Sequence, residues 1–463
     1  MTQNRWSVTL SLAALLAAGC GTPNPAPNPN PSPAPSSHVE PGKLPAKIIP
    51  SGFAEAHDTY NAISCASDGR IYYVLSSEKA DLGAQMYSYD PKSGTVKHLG
   101  DLTEACGEKG SGAISQGKSH VSFQEVDGKL YFASHIGYYS IIDGMEKPGI
   151  PPAGMKPYPG GHFLSYDMAS GKFESLAIAP RHEGIITFAM DKQRKRLYGI
   201  SWPTGRLLRY DLPKREMKDL GPVSEQGEDG KGKTFRTICR SMAVDPADGS
   251  VYFSTSDGVI HRYDYASEAI TAITTDDLKK DYFGLYDPSS AGHMGYNWRQ
   301  TFWRDADKAV YGVHGNSGYL FRFAPASGQV EVLDRITSED SQRSGMFDQF
   351  SYGYLGFAPS HDGNTIYYLT GGPVYENGRR VKGKESTAKG ESKGRENLHL
   401  ITWHIPTKHY IDHGSIFFPD GQRPNYVNSI AVGQDGAVYA LTRVSEDDHA
   451  RTDLMRIEPV KVE

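Results

Sequence analysis

An apolar-Tyr stretch, followed by a second short stretch ending in an aromatic or apolar residue and most often Asp, recurs seven times along the chain. The tyrosines are Tyr72, Tyr131, Tyr198, Tyr252, Tyr311, Tyr367 and Tyr439. The partner stretches end at Tyr89-Asp90, Tyr166-Asp167, Tyr210-Asp211, Tyr263-Asp264, Phe323-Ala324, Trp403-His404 and Ile457-Glu458. Short runs of this kind, bounded by turn residues, read as β-strands. Each repeat reads as a four-stranded antiparallel meander. An inner strand such as Gly184 to Asp191 comes first, then the Tyr strand, such as Arg196 to Ile200. A third strand carries the Tyr-Asp ending, and a fourth is typified by Lys218 to Gly221. The pairs Asp68-Gly69, Asp127-Gly128, Asp248-Gly249, Asp362-Gly363 and Asp435-Gly436 suit tight hairpins.

Inner strands are expected near 60–66, 120–126, 184–191, 237–245, 298–304, 353–359 and 426–433. A repeat of this length made only of short strands is the signature of a β-propeller. Seven repeats predict an all-β, seven-bladed β-propeller over residues 44–463. Residues 44–50 are expected to supply the outer strand of the last blade, in preference to Val460-Lys461-Val462. Either choice closes the ring and protects its edge strands. Composition agrees with this picture: 50 Gly, 29 Pro and 22% charged residues suit a turn-rich all-β chain. The net charge of -5 gives no bulk basic field, so no nucleic-acid partner is expected.

The N-terminus stands outside the repeat. Arg5 precedes an apolar run from Val8 to Ala18, too short to span a bilayer. It fits a signal peptide over residues 1–19. Leu16-Ala17-Ala18-Gly19-Cys20 resembles a bacterial lipobox, in which the cysteine becomes the lipidated first residue. Residues 22–37 alternate Pro with Asn, Ala and Ser, a stiff spacer that cannot pack a core. Residues 20–43 are therefore expected to be a lipidated Cys20 and a linker. The expectation is an exported, monomeric lipoprotein that touches the membrane through its lipid only. Cys65 and Cys106 fall in or near the first blade and are candidates to pair, since export permits disulfides. Cys239 reads as a buried thiol.

Two repeats carry long insertions, Gly137 to Gly161 and Gly371 to Asn397. Loops between strands two and three share a face with the blade-to-blade connections, so that face is expected to hold the site. Long loops in compact domains are usually functional or disordered. The repeat tyrosines occupy equivalent positions and read as packing. The candidates are residues that break the repeat. Lys118-Ser119-His120 starts the blade-two inner strand and His135 ends its second strand. A hairpin of this length returns the chain to its starting end, so the two imidazoles are expected to be neighbours. Tyr139 and His162 flank the same insertion. His120, His135 and Tyr139 are the candidates for moving a proton. Trp202, Arg206, Arg240, Tyr296, Arg299, His314, Asn316, Tyr426 and Asn428 are candidates for binding substrate. Arg grips carboxylates bidentately and aromatic faces stack on sugar rings, so an anionic saccharide is the expected partner. Imidazoles also ligate metals, which makes His162 a candidate ligand of a divalent ion, although no compact metal motif is present.

The seven-blade pattern with a histidine at each end of the blade-two hairpin resembles the propeller polysaccharide lyases, the ulvan lyases above all. The resemblance covers residues 44–463 and implies β-elimination on uronic-acid-containing polysaccharide. It carries over His120 and His135 as acid–base residues and Arg206 as a carboxylate binder. The family's blade-three tyrosine has no counterpart here, where the strand reads Gly184-Ile185-Ile186-Thr187-Phe188. More distantly the chain resembles oligogalacturonate lyases, propellers with a histidine-rich metal site. A glycoside hydrolase on the same scaffold needs two carboxyl groups, for which Glu183, Asp257 and Glu396 are available. A third reading is a non-catalytic propeller that binds glycan or protein.

Overall fold

The computed structural model describes residues 43–462, except 58–60, 144, 292, 315–316, 340–341, 343–355, 374, 377–378, 381–395, 423, 425, 428 and 447–448. The chain is nearly all β. Five sheets are separate four-stranded antiparallel meanders in chain order. The third shows the pattern: Gly184–Asp191, Arg196–Trp202, Arg206–Asp211 and Glu216–Pro222. A nine-stranded sheet holds the last two repeats. Its two halves meet at the strand Lys43–Ile49. That strand pairs antiparallel with His449–Ile457 and parallel with His409–Phe417. The N-terminal segment thus supplies the outer strand of the last repeat, while Val460 and Val462 pack against the core without joining a strand.

The repeat tyrosines lie in second strands and are buried. Their role is visible in the turn that precedes them. The hydroxyls of Tyr72, Tyr311 and Tyr439 donate to Asp68, Asp307 and Asp435, four residues earlier, at 2.9, 2.7 and 2.8 Å. Each ring fills the space between sheets while its hydroxyl holds the hairpin. At Asp127-Gly128 both residues take positive φ, 52° and 72°, as a type I′ turn requires.

Aromatic contacts link each sheet to the next. Tyr72 meets Tyr166, Phe163 meets Phe188, Tyr198 meets Tyr263, Tyr252 meets Phe323, and Phe302 meets Phe357. Tyr89 of the first sheet meets Tyr439 of the last. The first strands also neighbour one another, from Gly184–Asp191 through Ala243–Val244, Trp298–Arg304 and Phe357–Pro359 to Ala431–Val432 and Ile63–Cys65.

Two expectations are corrected. Cys65 and Cys106 are both free thiols. Cys106 lies beside the Ser134 hydroxyl at 3.8 Å and is buried away from solvent. Second, several inner strands are shorter than their apolar pattern suggests. The ladder covers only Gln124–Val126 in the second repeat and Ala243–Val244 in the fourth. Side-chain hydrogen bonds replace it upstream: the Ser119 hydroxyl donates to the Ala133 carbonyl, and the Asn297 amide to the Thr237 carbonyl. The polar residues that break the strand pattern are therefore also those that free the backbone from it. Much of the second long insertion, and most of the basic stretch around it, lies outside the described residues. The first carries a hairpin, Tyr139–Ile142 with Met145–Pro148. No helix among the described residues is long and apolar enough to cross a membrane.

Candidate functional site

The site grows from one isolated bridge. Lys118 and His135 exchange both backbone hydrogen bonds, at 2.9 and 2.7 Å. His120 lies two residues beyond Lys118, on the same side of an extended chain. The pairing brings the two imidazoles edge to face, with centroids 4.5 Å apart at 89°. His135 is 1% exposed and packs against the Trp202 ring at 5.4 Å. Tyr139 completes a triangle of rings, 5.5 Å and 89° from Trp202 and 6.3 Å from His135. Gly184 is required here, because a Cβ at that position would overlap the His135 Nδ1.

A cleft of about 470 Å³ runs along the inner strands. His120, Arg240 and Gln300 contribute polar wall, and Phe188, Met242 and Trp303 apolar wall. His120 and Arg240 are the sequence candidates that reach it. His135, Trp202 and Tyr139 stand behind His120 rather than in the cleft wall.

Burial pushes the His120 imidazole well below its ordinary 6.5, and neighbouring His135, Lys118, Arg240 and Arg299 push it the same way. His135 is lowered by burial first, then by Lys118 and Arg240. Both rings are neutral at pH 7. Tyr139 keeps part of its surface in solvent, yet burial of its hydroxyl raises its pKa well above 10. The hydroxyl donates to the Ile136 carbonyl at 2.9 Å, and the Lys118 Nζ sits 4.6 Å over the ring. Lys118 is 2% exposed and reaches Glu78 at 3.4 Å. Burial alone would raise the Glu78 carboxyl; the hydrogen bond to His57 and the Lys118 charge outweigh it and lower it to about 2. Lys118, Arg240 and Arg299 carry positive charge near the imidazoles, with Glu78 beside Lys118 and Glu228 beside Arg240.

Other expected binding residues are engaged elsewhere. The Arg206 Nε donates to both oxygens of Asp219, at 3.0 and 2.7 Å, across the third and fourth strands of its own sheet. Tyr296 packs on Tyr286, accepting the Tyr286 amide at 3.1 Å. His314 is wholly buried, stacked on Phe283 at 4.4 Å and bonded to the Ser317 hydroxyl at 2.6 Å. Arg299 is 2% exposed; it reaches Met294 Sδ at 3.0 Å and acts on His120 through its charge. Asn316 and Asn428 lie outside the described residues, and Tyr426 is described only by its backbone in Tyr426–Val427. His162 bonds Ser175 at 2.7 Å and Glu108 at 2.7 Å, a pair that holds its sheet. Among the described residues no three His, Cys, Asp or Glu converge as a metal would need, so the residues present do not fit a divalent ion. Glu183 accepts from Ser201 and Thr204, and Asp257 from Arg236, so neither faces a partner carboxyl in the cleft.

Sequence reasoning noted Lys118 beside His120 without giving it a role, and passed over Glu78 and Glu228. Lys118 was legible, since the Lys-Ser-His spacing sets it beside His120 in an extended chain. Glu78 and Glu228 sit in loops without periodicity and carried no such signal.

No family model matches the sequence, and no curated protein sequence matches it. Solved structures do resemble the fold. A chain of a mitotic checkpoint complex is 11% identical, covers 96% of this chain and 100% of its own, and has a TM-score of 0.48. A luciferin-regenerating enzyme is 9% identical, with coverage of 90% and 95% and a TM-score of 0.41. A Bacteroides uniformis protein assigned as a 6-phosphogluconolactonase is 10% identical, with coverage of 76% and 82% and a TM-score of 0.43.

Proposed function

We propose that this chain is a seven-bladed β-propeller that cleaves uronic-acid-containing polysaccharide by β-elimination, exported and tethered through a lipid on Cys20. The carrying observation is His120, a buried neutral imidazole in the wall of a cleft that Arg240 also lines. In this reading Arg240 pairs with the uronate carboxylate and draws charge from C5. His120 takes the C5 proton as general base. The electrons form the C4–C5 double bond as the C4–O4 bond breaks. The departing oxygen recovers a proton from the imidazolium. Lys118 and Arg299 add positive potential as negative charge develops on the carboxylate. His135 supports the His120 ring, and Trp202 backs His135. The seven-blade reading is supported by the recurrence of four-stranded units and by the contact of the first sheet with the last. The partner is an anionic saccharide, and the protein acts as a monomer.

The test follows unsaturated uronate by ultraviolet absorbance on ulvan, pectin fragments and glucuronan. Absorbance rises with the native protein, while His120→Ala loses at least about 100-fold in rate. New reducing ends without absorbance would replace elimination with hydrolysis. Retention on a glycan column with neither signal would make the protein a binding module.

A further inference from the structure

We infer that one end of the repeated meanders, the end that carries the inserted hairpin, rests on the surface of the lipid bilayer and leaves the other end free for substrate. The inference rests on the lipid tether at Cys20 proposed above.

In an antiparallel meander the loop between strands two and three leaves from the same end as the connection to the next sheet. Hydrogen bonds join these ends from sheet to sheet. The Ser77 amide, after the second strand of the first sheet, donates at 2.8 Å to the Gly117 carbonyl, on the way to the second sheet. Lys147 of the Tyr139–Pro148 hairpin donates at 2.9 Å to the Glu228 carbonyl, between the third and fourth sheets. The Thr237 hydroxyl of that connection donates at 2.8 Å to the His293 carbonyl, between the fourth and fifth.

The exposed large hydrophobic side chains among the described residues all lie at this end. Ile141 and Ile142 belong to the hairpin and Ile150 follows it; Ile141 is 69% exposed and Ile150 62%. Ile178 ends the fourth strand of the second sheet. Tyr282 and Leu285, the latter 84% exposed, lie in the connection from the fourth sheet to the fifth. The opposite end is closed by short polar turns, such as Lys92-Ser93-Gly94 and Pro213-Lys214-Arg215. Apolar side chains gain by leaving water, and a set gathered at one end marks an interaction surface.

Two observations choose the bilayer as the occupant. The stretch from Cys20 to the strand at Lys43 reaches no farther than about 80 Å even fully extended. A lipid on Cys20 holds the repeats within that distance of the membrane, where weak apolar contacts suffice to dock them. The apolar residues also sit on separate tips, with the connection through Glu228 between them. A fluid interface takes up separate tips, whereas a protein partner needs one matched surface. Charges between the tips are mixed, with Lys231 at 3.4 Å from Asp143, so apolar contact rather than anionic lipid carries the docking. The cleft extends to Lys192, Gln193 and Pro246, in turns between first and second strands at the opposite end. Docking in this way turns that end of the cleft toward the polymer and away from the lipid.

The experiment reconstitutes the lipidated full chain into neutral phosphatidylcholine vesicles with brominated acyl chains, which quench tryptophan. Three single variants, Ile141→Trp, Leu285→Trp and Lys214→Trp, each add one reporter at an exposed position, and its emission is read against the native protein. Flotation measures the vesicle-bound fraction. The emission added at Ile141 and Leu285 is expected to fall at least about twofold, and that at Lys214, at the opposite end, to stay unchanged. Floated protein with both tips unquenched would overturn the inference and leave the tether standing. Equal quenching at all three positions would also overturn it, since no end would then be preferred. Tip emission already blue-shifted without vesicles would give this end to a second copy of the chain instead. Native protein that does not float would remove the tether reading, and the inference with it.

Discussion

Histidine at three positions shows how one residue type takes different roles from its surroundings. His120 meets the cleft, His135 supports it, and His314 is sealed beneath Phe283. Burial holds the His314 imidazole down at about 3, against an ordinary 6.5. The sign of its effect on stability follows. Below pH 6.5 the unfolded chain takes a proton that the folded chain refuses, so stability falls as pH drops from 6.5 toward 3. The slope from this one group is about 1.4 kcal/mol per pH unit. Urea denaturation between pH 7 and pH 5 should show His314→Gln less acid-sensitive than native by about that slope. An unchanged slope would mean that the imidazole already titrates normally in the fold. The sequence placed His314 correctly at the end of a second strand but gave it to the substrate. Nothing in its neighbourhood in sequence revealed that residues 281–286 would cover it.

At the scale of the element, the recurring tyrosine joins a turn to a sheet. Tyr311 is typical: its ring packs on Phe302 at 5.8 Å and its hydroxyl reaches Asp307. Replacement by Phe should cost about 1 kcal/mol, one hydrogen bond. Replacement by Ala should cost about 3–5 kcal/mol, the ring and its cavity. Denaturant midpoints with an unchanged m-value measure both. Equal costs would assign the position to the hydroxyl, and the packing account of the repeat would fail. Strand order and hairpin turns were legible because each depends on residues near in sequence or on a recurring pattern, and the N-terminal closing strand because the last repeat has little chain left after Ile457 to close itself. Inner-strand lengths were not. The apolar pattern continues where the ladder stops, because there the Ala133, Cys239 and Thr237 carbonyls accept from the side chains of Ser119, Thr187 and Asn297 instead.

At the scale of the whole molecule, the N-terminal tether and the cleft belong to one proposal, an enzyme held at a membrane while it works on a polymer. Cys20→Ser should move the protein from the membrane fraction to the soluble fraction, with elimination by the purified protein unchanged. A variant that stays with the membrane would show that something other than the lipid holds it there.

The sequence by itself determined that the chain is built from short strands in repeated four-stranded units, that the tyrosines pack, and that two histidines meet across one hairpin. These follow from local periodicity and from the geometry of a single turn, which the order of residues contains. Only the tertiary structure decided which polar residues face the cleft. Arg206 turned to Asp219 and His162 to Glu108, while Arg240 came to His120 from a sheet two repeats away. The physical reason is that a charged side chain goes to whichever partner the packing brings within about 3 Å. That partner is set by contacts between sheets, and no single stretch of sequence encodes them.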